Sequence, residues 1–175
     1  MGVSNNIEIR EAVAADDADY ASFLRRAWQE AGPASPGFSG ATDEAIDELS
    51  ASGALLDRIG SPDGRIVLAW DGDDVVGFAA TRGSSPTEVE LAGIVVLASI
   101  AGRGVGSRLL AAAAEQASRD GYVDMIVQTE AANALARAFY ERQRFAVINE
   151  TTIDINGVTV DIVELHRSLE VQPGR

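Results

Sequence analysis

The sequence predicts an α/β fold with a mixed sheet, and three observations carry that expectation. Strand-like alternation and helix-like periodicity follow each other repeatedly along the chain. Three strand-like runs stand consecutively between residues 65 and 97, which makes a meander. A glycine-rich turn and an alanine-rich helix then follow, and the chain ends in a hairpin signal. Together they give the order β-α-α-β-β-β-α-β-α-β-β.

Residues 7–13, IEIREAV, alternate as a half-buried strand, and Asp16 and Asp17 offer N-caps for a helix through YASFLRRAWQEA. Gly32 to Gly40 is loop by composition. Thr42, Ala45, Ile46, Leu49, Leu55, Leu56 and Ile59 suggest one or two helices ending at Gly60. RIVLAWD, a DGDD turn and VVGFAATR read as a hairpin, with TEVELAGIVVL as the next strand. A helix over 104–120 follows, with Val105, Leu109, Leu110, Ala113 and Ala117 on one face and Gly121 as its stop. YVDMIVQT is a strand, and ANALARAFYERQ a helix with Leu135, Ala138 and Phe139 inward. FAVINETTIDI, Asn156-Gly157 and VTVDIVEL close the chain as a hairpin on a type I′ signal.

Length and composition bound the function. The chain has 175 residues and 46% hydrophobic content, so one domain over 1–175 is expected. A net charge of −13 disfavours an extended polyanion, so no nucleic-acid partner is expected. All 14 basic residues are arginine, so a bound phosphate must rely on guanidinium groups, backbone amides or a helix N-terminus. Cysteine is absent, which removes disulfides and thiolate catalysis, and the single histidine cannot build a multi-histidine site. No metal is expected. No stretch approaches the roughly 20 apolar residues that span a bilayer, so a soluble, cytoplasmic protein without membrane contact is expected.

Residues 100–110, IAGRGVGSRLL, raise the central question, because they place Gly102, Gly104 and Gly106 at the mouth of a helix. Missing Cβ atoms let a ligand approach the backbone, and free amides there make an anion site. A Walker loop would end in Gly-Lys-Ser/Thr, whereas this one ends Gly-Ser-Arg. A dinucleotide fingerprint would have a third glycine where Ser107 stands.

VLASIAGRGVGSRLL instead resembles motif A of the GNAT acyltransferases, V-x-P-x-x-[QR]-G-x-G-x-[GA]. A second stretch, Asn133 to Arg142 followed by Phe145, resembles that family's N-x-x-A-x-x-F-Y-E-x-x-G-F. The likeness runs over about residues 7–168 and is densest from Glu90 to Phe145. It departs at Ala98 for proline, Ala101 for Gln or Arg, and Arg144 for glycine.

The resemblance implies the GNAT fold, acetyl-CoA as acyl donor and direct acetyl transfer to a primary amine. It implies that Gly102, Arg103, Gly104, Val105, Gly106 and Ser107 hold the pyrophosphate. Arg108, like Arg103, is a candidate to replace the missing Gln/Arg side chain, against the alternative of a solvated arginine. Ile94, Val95 and Val96 are the implied partners of the pantetheine arm, with Asn133 a further contact or simply an N-cap.

Tyr140 matches the tyrosine that protonates the departing sulfur, and a phenol keeps its proton at neutral pH. Glu90 is the implied base, and alternation puts Glu88, Glu90 and Ala92 on one strand face. Gln128 stands where one branch of the family carries a glutamate, with Glu130 the neighbouring carboxylate. His166 is read as structural, and Trp28, Phe38 and Trp70 as core or rim. The implied acceptor is a small-molecule or peptide amine: a polyamine, antibiotic, amino acid, protein N-terminus or lysine. A homodimer is the family's common assembly. The rivals are a non-catalytic acyl-CoA sensor of the same fold and a transferase that uses another acyl donor, such as succinyl- or longer-chain coenzyme A.

Overall fold

A computed structural model describes residues 7–31, 42–155 and 157–169. The loop expectation for Gly32 to Gly40, with Phe38, and the turn role of Asn156 lie outside the described residues, as does the Leu56 side chain.

Seven strands form one sheet in the order β1-β2-β3-β4-β5-β7-β6. They are β1 (Ile7–Glu11), β2 (Gly64–Asp71), β3 (Asp74–Gly83), β4 (Glu88–Val96), β5 (Asp124–Glu130), β6 (Ala146–Ile155) and β7 (Val158–Ser168). Only β4 and β5 pair in parallel, joined by a helical crossover; every other neighbour is antiparallel. The helices are α1 (Asp17–Ala31), α2 (Asp43–Leu49), α3 (Ala54–Ile59), α4 (Val105–Arg119) and α5 (Ala134–Arg142). The stretch from Thr42 to Gly60 therefore holds two helices, α2 and α3, so three helices precede β2 where the predicted order had two.

The buried core follows the apolar pattern. Tyr20 and Phe23 of α1 meet Phe78 of β3 edge to face on one side of the sheet, with centroids 5.5 and 5.9 Å apart. On the other side α4 buries Val105, Leu109, Leu110, Ala113 and Ala117, the face its periodicity predicts. Gly121 ends that segment at φ +98°. Trp70 is buried in β2, with the Arg10 guanidinium 4.6 Å above its ring.

The Asp16–Asp17 pair divides its work. Asp16 closes a short 3-10 turn by accepting from the Val13 amide at 2.8 Å, and it accepts two hydrogen bonds from Arg10 at 2.7 and 2.8 Å. Those contacts hold its carboxyl below the usual range, the Arg10 hydrogen bonds most strongly. Asp17 reaches instead to the head of α3, accepting from Gly53 and Leu55 amides at 2.8 and 3.1 Å.

One inward assignment is corrected. Leu135 is 86% exposed, and the packed residues of α5 are Ala136, Phe139 and Tyr140. Leu135 lies on the outer side of the first turn of α5, while Ala136 of the same turn packs on the core.

Candidate functional site

The site begins where the parallel pair stops. β4 and β5 are in register from Glu88–Asp124 to Leu91–Val127, and then they part. β4 remains bonded to β3 up to Val96, and β5 to β7 up to Glu130. The β4 edge over Ile94, Val95 and Val96 therefore faces a gap with its amides and carbonyls unpaired on that side.

A bulge accompanies the parting. Ala80 opposes Gly93 and Thr81 opposes Leu91, which leaves Ala92 as an extra, exposed residue. Glu88 and Glu90 do share a face, but Ala92 is the bulged residue and not the next member of that alternation. Beyond it, Gly93 and Val95 face the α1 side with Phe78, and Ile94 and Val96 face α4.

At the head of α4 the glycines adopt what their missing side chains permit. Gly102 and Gly104 lie at φ +80° and +78°, and a Cβ built on either would meet nothing within 4 Å. Open space borders the backbone there. The first intrahelical bond runs from the Arg108 amide to the Gly104 carbonyl at 3.2 Å, so the amides of Val105, Gly106 and Ser107 have no acceptor inside the helix. They sit at the positive end of a 15-residue helix. Gly106 differs, since its Cβ would lie 3.5 Å from the Phe139 ring with ordinary backbone angles. The Val105 side chain is core, so only its backbone is available outward.

The two arginines separate. Arg108 donates to the Ile7 carbonyl at 2.7 Å, tying α4 to β1. Arg103 is exposed and has no hydrogen bond or ion pair among the described residues. Ser107 accepts from Gln143 at 2.9 Å, which joins the turn to the end of α5. Asn133 caps α5 by accepting from Ala136 at 3.1 Å, and its amide NH2 stays available to donate.

Tyr140 is 6% exposed, between the rings of Phe139 and Phe145 at 5.3 and 5.5 Å. Burial pushes its phenol up to about 12. Its hydroxyl has no hydrogen-bond partner among the described residues. A protonated phenol without a protein partner keeps its O–H free to donate a hydrogen bond.

On the α1 side of β4, Glu90 lines a cavity of about 430 Å³ with Ile66, Phe78, Ala80, Arg82 and Gly93. Glu90 accepts from Arg82, directly opposite on β3, at 2.5 Å. Glu88 accepts from the Ser84 hydroxyl, and Gln128 donates to Glu164, both at 2.9 Å. Glu130 is buried. His166 pairs with Asp124 at 2.9 Å on the sheet, and Trp28 donates to Asp43 at 2.8 Å, linking α1 to α2. Arg82 and the bulge at Ala92 were not singled out from the sequence. Both depend on the β3–β4 register, although Glu90 with its cross-strand neighbour was a usable charge signal.

Fold and site together define a class: mixed α/β proteins whose sheet opens at one parallel strand pair over a glycine turn. The chain belongs to the acetyltransferase (GNAT) family, whose model matches residues 22–145. Among curated relatives, the mycothiol acetyltransferase of Thermobispora bispora is 41% identical over 70 residues, which is 39% of this chain and 23% of that protein. The mycothiol acetyltransferase of Corynebacterium glutamicum is 31% identical over 85 residues, 49% of this chain and 29% of that one. The matches thus span under a third of either relative. Among solved structures, the PaiA N-acetyltransferase of Thermoplasma acidophilum in complex with coenzyme A aligns with TM-score 0.71 at 20% identity, over 91% of this chain and 98% of that one. The ribosomal-protein-S18-alanine N-acetyltransferase of Escherichia coli aligns with TM-score 0.71 at 16% identity, over 96% and 97%. These likenesses show the fold.

Proposed function

We propose that the protein is an N-acetyltransferase that uses acetyl-CoA and passes its acetyl group directly to a primary amine. The observation that carries this reading is the parting of β4 and β5 beyond Leu91 and Val127, together with the open glycine turn at the head of α4. The donor supplies a thioester-activated acetyl group. The turn amides of 102–107, with Arg103, hold the diphosphate, and the free space at Gly102 and Gly104 fits a group pressed against backbone. The unpaired β4 edge over Ile94–Val96 hydrogen-bonds the pantetheine arm and presents an amide to the thioester carbonyl. Asn133 donates to the arm. Glu90 accepts the amine's proton, and Tyr140 gives one to the leaving sulfur.

The acceptor reaches the thioester from the α1 side, a small molecule or a peptide in a cytoplasmic setting. A homodimer would use β6, an edge strand exposed along nearly its whole length.

The test is titration calorimetry with coenzyme A, followed by thiol release from acetyl-CoA over a panel of amines. Binding with turnover supports the enzyme. Binding without turnover on any amine supports the sensor reading, which the Ala101 replacement favours. Absence of binding sinks both.

A further inference from the structure

We propose that the acceptor is an α-amino acid with a free carboxylate and an apolar side chain, and that Arg82 reads the carboxylate. This rests on the transferase reading above and narrows its acceptor. Arg82 and Glu90 stand directly opposite on β3 and β4 and close one wall of the cavity beside the β4 bulge. Glu90 is the more enclosed of the two, its side chain 23% exposed against 65% for Arg82, so the base sits deeper and the guanidinium at the mouth.

A simple cationic amine approaching Glu90 would meet the Arg82 charge and have nothing to offset it. An amino acid brings its own counter-charge. Its ammonium faces Glu90 while its carboxylate takes the fork of Arg82, so one internal ion pair is exchanged for two charge-assisted contacts to the ligand. The other arginine at this cavity is already held: Arg65 pairs with Asp120 at 3.2 Å and donates to the Gly64 carbonyl at 2.9 Å.

The floor selects the side chain. Ile66, Phe78 and Ala80 give the lining its apolar surface, and Ser61 and Thr81 add hydroxyls beside the Arg82–Glu90 pair, so an aliphatic side chain is favoured on the Ile66–Phe78–Ala80 side. Gly93 widens the cavity where it meets the gap. A Cβ there would make only ordinary contact with the Phe78 ring, at 3.5 Å, so packing does not demand glycine at that position. The room it leaves is room for a ligand.

The transfer balances. The ammonium gives one proton to Glu90, and the nitrogen lone pair bonds the acetyl carbonyl carbon as the C–S bond breaks. The sulfur takes the Tyr140 proton, and the second nitrogen proton restores the phenol. Amide, thiol and one proton released from Glu90 to solvent result, and the carboxylate is unchanged.

The experiment compares leucine, leucinamide and 3-methylbutylamine as acceptors, with alanine, valine, methionine and phenylalanine as further amino acids. Thiol release from acetyl-CoA is the readout. Leucine is expected to exceed the two carboxylate-free amines by about 30-fold in kcat/KM, the scale of one lost charge-assisted contact. Arg82→Gln brings that ratio close to one, and Arg82→Lys restores part of it, with melting curves confirming folded variants. Three results overturn the proposal: leucinamide or 3-methylbutylamine used as well as leucine, no apolar amino acid acetylated, or a ratio unchanged in Arg82→Gln. Calorimetry with coenzyme A separates the two failures. If coenzyme A binds and carboxylate-free amines are acetylated, only the acceptor class is wrong; if it does not bind, the transferase reading falls too.

Discussion

Replacing Gly104 and Gly106 separately by alanine discriminates a ligand cradle from an ordinary tight turn. Gly104 sits at φ +78° with no atom within 4 Å of a built Cβ, so Gly104→Ala costs backbone strain and no packing clash. That strain is about 1–2 kcal/mol for an L-residue. In a chain of this size it lowers Tm by roughly 3–6 °C. Gly106 has ordinary angles in the first turn of α4, and its Cβ would rest 3.5 Å from Phe139. Gly106→Ala therefore gains helix propensity and one apolar contact, about 0.5–1 kcal/mol, and raises Tm by roughly 2 °C. The two variants should also diverge in calorimetry with coenzyme A. The methyl at 104 enters the space beside the turn amides and weakens binding by about 10-fold or more, the scale of one hydrogen bond to a charged group. The methyl at 106 points at Phe139 and leaves the affinity nearly unchanged. Should Gly104→Ala lose the stability but bind coenzyme A like the parent protein, the turn is a helix start and no cradle.

Other expectations follow from the same geometry. Tyr140→Phe removes a hydroxyl with no partner among the described residues, so melting should shift little while kcat falls about 100-fold, as for loss of a general acid; an unchanged kcat removes Tyr140 from the chemistry. Because burial raises this phenol to about 12, from an ordinary value near 10, the folded state holds the proton after the unfolded state has lost it. Stability from this group is complete below about pH 10 and declines up to about 12, by roughly 2–3 kcal/mol, and Tyr140→Phe should flatten that limb in alkaline denaturation. Asp16 has the opposite sign: its carboxyl is lowered by Arg10, so its contribution is present above about pH 4 and fades as pH falls through the lowered value. Asp16→Asn should make acid unfolding shallower, and a limb of unchanged slope would deny that pair a role. Arg144 stands at φ +65°, so Arg144→Gly should gain about 1 kcal/mol in denaturant melts.

How much of this was legible in sequence depends on whether a feature is local. The glycine turn, the buried face of α4, the Gly121 stop and the Asn133 cap are written in neighbouring residues, and each stands where spacing puts it. What failed needed a partner strand or helix. Leu135 has the right periodicity for an inward residue, yet the packed face of α5 runs through Ala136, Phe139 and Tyr140 and leaves Leu135 outside. Asp17 looks like a cap for the helix it begins and instead serves α3, 36 residues on in the chain. The bulge at Ala92 is invisible without β3 beside it, because alternation along one strand cannot report an extra residue.

That division explains why the proposed donor side of the site is written locally and the proposed acceptor side is not. Binding a diphosphate requires backbone amides and absent side chains, and glycine spacing over a few residues specifies both. Choosing an acceptor requires side chains from several strands to converge, and the Arg82–Glu90 pair exists only because β3 and β4 meet in one register. A slip of a single residue would turn Arg82, and with it Phe78 and Ala80, to the other face and leave Glu90 without its partner. On the proposed acceptor reading, the register of β3 and β4, more than the identity of any one residue, therefore sets which amine is taken.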